Sequence, residues 1–291
     1  MSRLDRSRLA TYFGSLIALG LGFEALSTIA NVGMVRLAPL YMFTPLVAGM
    51  VTVWRFDLSL SGIGLRWGSG RWFAIAAVAP IALAFATLGL SLSVPGVTLR
   101  AAGSLVPGIS LPQGIVGILA ALAVVVALGV TVNAFMALGE EVGWRGYLLW
   151  ELAPLGFWRA SVLIGAVWGL WHAPVILEGY NYPSFPVLGV AAMTLATISF
   201  SVVYTYLVVR ARSVLAAVFF HGVFNASGGL VFAFAATNSP ELRQLVASPV
   251  GLAAVAVFAL VAVLIALDGA PALDRGFADR REFGEPDRGD P

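Results

Sequence analysis

Residues 114–139 pass without a single charged side chain. About twenty predominantly apolar residues in a row cross the hydrocarbon core of a bilayer. There a helix can satisfy its backbone hydrogen bonds internally, whereas an open strand or loop facing lipid cannot. Runs of this kind lie near 11–34, 37–54, 72–93, 115–138, 158–177, 186–209, 213–236 and 247–267, the second being the shortest. They predict an all-α fold, a polytopic transmembrane bundle of about eight spans. Composition agrees, with 11% charged residues against about 25% in soluble domains. The first run follows three arginines, as a secretory signal would. Its length, its internal Glu24 and Asn31 and the lack of a cleavage site favour an uncleaved span.

The cations set an expected orientation. All 17 are arginine, and cytoplasmic loops carry the excess of basic residues. With the N terminus inside, fourteen of them fall on the cytoplasmic side, Arg145 included, and only Arg36, Arg100 and Arg243 fall outside. The expectation is a multi-pass protein of the plasma or inner cell membrane with both termini cytoplasmic. Residues 1–267 read as one membrane-embedded domain, 94–113 as an outer loop with three prolines, and 268–291 as a disordered cytoplasmic tail. No basic stripe is interleaved with aromatics, so membrane lipid is an expected partner and nucleic acid is not. With no cysteine there is no disulfide, thiol nucleophile or thiolate-held metal.

Ionisable groups inside spans are costly and usually face the bundle interior or a wet cavity, so their short inventory is informative. Both histidines, His172 and His221, lie in spans, as do Asn133 and Asn225, and Glu140 with Glu141 ends the fourth. Glu141 and Arg145 stand four apart, the spacing of an ion pair on a helix. Glu140 points about 100° away from Glu141, with Asn133 seven residues before it on the same face. Trp168 and His172 are one turn apart, and so are His221 and Asn225. Each group taken alone also reads as a helix end, a packed histidine or interhelical glue. Together they supply a base to activate water and donors for a developing oxyanion, which is what peptide hydrolysis needs.

At these residues the sequence resembles the CPBP family of intramembrane proteases, the CAAX proteases and bacteriocin-processing enzymes also called the Abi family. The family's EExxxR, FxxxH and HxxxN/D motifs correspond here to Glu140-Glu141 with Arg145, Trp168 with His172, and His221 with Asn225. The match spans residues 133–228. Trp168 stands where the motif has Phe, a change expected to alter packing more than chemistry. The resemblance implies an endopeptidase in which Glu140 and His172 polarise water, His221 and Asn225 stabilise the oxyanion, and Glu141 and Arg145 brace the site. It also implies a peptide or protein substrate cut near the cytoplasmic membrane face. A lipid-anchored protein and a leader peptide are equally admissible, since eukaryotic relatives trim prenylated CaaX proteins and other members process leaders.

Glu140, His172 and His221 are also acceptable Zn²⁺ ligands. No HExxH motif is present, and the sequence leaves both a zinc ion and a lone water open. No aspartate lies in a span and no nucleophile elbow occurs near the histidines, which removes the aspartyl and serine mechanisms. A non-catalytic scaffold or immunity-type peptide-binding protein stays as the alternative. A transporter would show repeated halves with interrupted helices, and none is visible. One tension remains in the depths. With the drawn spans, Glu140 lies at a membrane face while His172 is about 21 Å into its helix. Either the fifth helix starts later, or the fourth extends and tilts.

Overall fold

The computed structural model describes residues 4–100, 112 and 114–279. Its helices are α1 Arg6–Ala30, α2 Met34–Tyr41, α3 Thr44–Arg55, α4 Gly70–Ser91, α5 Gly114–Leu128, α6 Ala134–Glu141, α7 Leu149–Leu152, α8 Phe157–Trp171, α9 Ala173–Leu177, α10 Pro186–Ala211, α11 Val214–Phe234, α12 Pro240–Leu245 and α13 Leu252–Asp268. Wide π-turns at Gly129–Asn133 and Val142–Leu148 join α5, α6 and α7 into one helical column, Gly114–Leu155. Six helical segments are long and apolar enough to cross a membrane, and the shorter apolar helices α8 and α13 complete the eight expected segments. The second segment, Met34–Arg55, is broken between α2 and α3. Large apolar side chains such as Ile29 (85% exposed) and Leu267 (79%) point outward, as they must where the surrounding solvent is lipid.

The helix ends gather into two opposite faces. On one, the Arg66 guanidinium donates to the Ala278 carbonyl and the Ser213 hydroxyl to the Arg66 carbonyl. There too, the Val214 N–H donates to the Gly64 carbonyl at 2.8 Å. Around the rim, Glu151 is completely buried between the Arg275 guanidinium at 2.7 Å, Arg8 Nε at 2.8 Å and the Asp5 N–H at 2.8 Å. Both arginines also lie over the Trp150 ring. On the opposite face, β1 (Val97–Leu99) pairs antiparallel with β2 (Ala235–Thr237), Thr98 opposite Ala236. The loop 178–185 is tied there by the Tyr182 hydroxyl donating to the Val250 carbonyl (2.7 Å), by the Ser184 N–H donating to Gln244 Oε1 and by Gln244 Nε2 donating to Ser184 Oγ (both 2.9 Å).

Two expectations change. Arg145 is no loop residue: it is completely buried inside the bundle, because the helix that carries it continues to Leu155. The expected disorder from 268 does not describe residues 270–279. Leu273, Phe277 and Ala278 are buried and Arg275 reaches Glu151, so a few apolar anchors and one ion pair outweigh the polar composition. Residues 280–291 of that tail, and 101–111 and 113 of the expected outer loop, lie outside the described residues.

Close helix contacts depend on small residues. A Cβ on Gly222 of α11 would sit 2.2 Å from the Gly129 carbonyl, and one on Gly129 would sit 2.7 Å from Val223 Cα. Only this bare contact lets α11 lie against the π-turn, as small residues do where membrane helices approach closely.

Candidate active site

The site is built from α6 and its π-turn, the C-terminal end of α8, and the middle of α11. Glu140 lies fifteen residues before Leu155, and His172 lies fifteen after Phe157. Each is therefore about 22 Å from the turn that joins the two helices, and the two residues are level. The depth tension is removed by the longer fourth helix. A π-turn inserts an extra residue and widens the helix, a feature often found at functional sites. Here it carries Arg145 directly after the paired carboxylates.

α8 is aimed by its terminal aromatics. Tyr41 stacks on Trp171 at 4.7 Å and donates to the Trp171 carbonyl, while the Trp171 indole donates to Thr44 Oγ1 at 3.0 Å. These contacts pin the helix end that holds His172 to α2 and α3. The His172 Nδ1–H donates to the Trp168 carbonyl at 2.8 Å, a bond that turns Nε2 into the free acceptor of the neutral ring.

Glu141 has no exposure. Its Oε1 accepts from Arg145 Nη1 at 3.1 Å and from His221 Nδ1 at 2.8 Å. Arg145 is sandwiched between Trp168 and Tyr204, its Cζ 4.3 and 4.7 Å from the two ring centroids. Cation–π contact of this kind strengthens when desolvated. The expected i,i+4 pair is present, and the histidine of a distant helix joins it. Trp168 does more than pack: its indole N–H donates to Glu140 Oε2 at 2.5 Å. Phenylalanine has no such donor, so the departure from the motif changes the chemistry around Glu140 as well as the packing.

A cavity of about 60 Å³ is lined by Glu140, His172, His221 and Asn225, with Trp168, Tyr180 and Asn181 among its walls. That space holds a few water molecules. Asn133 is half-buried on its π-turn and does not line this cavity. Tyr180 and Asn181 were not foreseen from the sequence. They sit in the short loop after α9, in a stretch, GYNYPS, that reads only as turn chemistry. Burial first, and the negative charge of Glu140 second, push the Tyr180 hydroxyl above the ordinary phenol range. It therefore stays a donor at neutral pH.

Each candidate zinc ligand spends one atom inside the protein, Glu140 Oε2, His172 Nδ1 and His221 Nδ1. Glu140 is bonded to Trp168 and His221 to Glu141. Among the described residues no three His, Asp or Glu side chains are grouped to hold a metal ion.

Two comparisons bear on this geometry. Residues 119–227 match the family model described as "Type II CAAX prenyl endopeptidase Rce1-like". CAAX prenyl protease 2 of Methanococcus maripaludis is 31% identical over 98 residues, which is 32% of this chain and 36% of that protein. The chain thus aligns with about a third of its relative's length, and the residues matched by the family model, 119–227, contain all three motifs. Taken with the buried constellation, the matches make residues 119–227 similar to the type II CAAX prenyl endopeptidases.

Proposed function

We propose that this chain is an intramembrane endopeptidase of the cell membrane that hydrolyses a peptide bond in a membrane-associated substrate, either lipid-anchored or a leader peptide. The observation that carries the reading is one cavity with a carboxylate, two imidazoles and a carboxamide on its walls. Glu140 Oε2 is occupied by the Trp168 indole, which leaves Oε1 to accept a proton from water. His172 Nε2, freed by the Nδ1 bond, accepts from the same water. The water oxygen then adds to the scissile carbonyl.

The tetrahedral oxyanion needs donors aimed at it before it forms. Asn225 offers its amide N–H. His221 donates through Nε2 only as the imidazolium, and Glu141 supplies the compensating negative charge at Nδ1. Collapse of the intermediate requires a proton on the leaving amine, and Glu140 or His172 returns the one taken from water. Arg145 holds Glu141 in place without touching substrate. No step passes through a metal.

The test is cleavage of a quenched fluorogenic peptide by the purified protein in detergent, with products read by mass spectrometry. Glu140→Ala or His172→Ala is expected to abolish turnover, and normal turnover by a well-folded Glu140→Ala protein would sink the assignment. A rival reading, a non-catalytic peptide-binding scaffold, separates in a complementation assay. Retained phenotype with Glu140→Gln at normal membrane abundance favours the scaffold.

A further inference from the structure

The mouth of the cavity and the arginines lie at opposite ends of the bundle. Among the described residues, Arg6, Arg8, Arg55, Arg66, Arg71, Arg159, Arg210, Arg212 and Arg275 all belong to helix ends or turns on the face that holds Glu151. The continuity of that face is given by the contacts of Arg66 with Ala278, of Ser213 with Arg66, and of Arg8 and Arg275 with Glu151. Among the described residues, the opposite face holds only Arg36, Arg100 and Arg243. Three loop residues that wall the cavity come from this second face, Tyr180 and Asn181 from the loop after α9 and Val250 from the turn before α13. His172 itself caps the end of α8 that points there.

Basic loops stay cytoplasmic. We infer that the cavity opens toward the extracytoplasmic side of the membrane, and that the peptide it takes is a segment presented on that side, such as a translocated leader or the outer flank of a membrane anchor. This rests on the peptidase reading of the cavity. It also reverses the expectation of cleavage at the cytoplasmic face. A cytosolic prenylated tail would meet the arginine-rich end, whereas a segment already carried across the membrane meets the loop 178–185.

The absence of native cysteine makes the test direct. Single cysteines are placed at Asn181 on the cavity wall, at exposed Ser184 and Glu241 on the same face, and at exposed Ser61 on the arginine-rich face. Intact cells are treated with a membrane-impermeant maleimide before and after permeabilisation. The expected result is at least ten-fold stronger labelling of Asn181→Cys, Ser184→Cys and Glu241→Cys from outside, with Ser61→Cys labelled only after permeabilisation. Outside labelling of Ser61→Cys alone, or equal labelling of both faces, overturns the inference. If Ser184→Cys or Glu241→Cys fails to accumulate, the other carries its face, and exposed Trp67→Cys replaces Ser61→Cys on the arginine-rich face. Labelling needs no turnover. Outside access at Asn181 in a protein that cleaves no peptide leaves the orientation standing and sinks the peptidase reading. Inside access in an active enzyme does the reverse.

Discussion

The column Gly114–Leu155 carries two buried carboxylate centres, at Glu141 and at Glu151. Each glutamate is completely buried and has two cationic or potentially cationic partners. At Glu151 both partners are arginines, whose charge is permanent, and they come from the two chain ends. At Glu141 one partner is an arginine and the other is His221, which has a second nitrogen to spend and lies on a cavity wall. A centre saturated with permanent charge can hold parts together. A centre that includes a titratable ring beside water and a second carboxylate, Glu140, can move protons. Burial of a charged group thus says little about function until its partners and its access to water are known.

The comparison breaks most sharply with paired neutral variants. Glu140→Gln is expected to lower kcat by at least about 10³, since the base is lost, with no change in fold. Glu151→Gln is expected to leave kcat for peptide cleavage unchanged. It should cost about 3–5 kcal/mol of stability, the usual result of removing one partner of a buried pair, read as a lower unfolding midpoint in detergent. If Glu151→Gln abolishes cleavage in a still-folded protein, the division between the centres fails. Next in size, Asn225→Ala should reduce kcat by about 10²–10³ with little change in KM, as removal of an oxyanion donor does. Trp168→Phe sharpens the picture further. It keeps an aromatic over Arg145 but removes the 2.5 Å bond to Glu140. A hydrogen bond to a charged group is worth about 1.5–3 kcal/mol, so a roughly ten- to hundred-fold loss in kcat with a shifted pH profile is expected. An unchanged profile would return Trp168 to a packing role. The smallest expected effect is that of chelation. Activity should stay within about two-fold after exhaustive treatment with a zinc chelator, because the candidate ligands are not gathered as a metal site. Loss on chelation, restored by Zn²⁺ alone, would overturn that.

The eight apolar segments were legible because the period of an apolar run needs no tertiary information. The Glu141–Arg145 pair was legible for the same reason, since both residues are on one helix. What escaped depends on other helices. The bond between His221 and Glu141 joins residues 80 apart, on helices that approach closely at Gly129 and Gly222. The extension of the fourth helix through the charged stretch was hidden because two carboxylates and an arginine read as a water interface, although they neutralise one another with His221 inside the bundle. Tyr180 and Asn181 lay in a loop whose composition encodes a turn and nothing about what it covers. Glu151, a lone acid near a helix end, has no local sequence signal of its enclosure, because Arg8 and Arg275 are far from it along the chain.

The enclosure of Glu151 also sets an order of events during synthesis. Arg275 follows Glu151 by 124 positions, so the carboxylate is made, and its helix placed, long before its second arginine emerges. Until then Arg8 and the Asp5 N–H are its available partners, and the centre is incompletely neutralised in a setting where unpaired charge is expensive. Arrival of α13 and the segment after it completes the neutralisation and fastens residues 270–279 to the start of α1. A chain truncated before Arg275 would keep every residue of the cavity and still lack the fastening, so quality control in the membrane would meet it as an unfinished product.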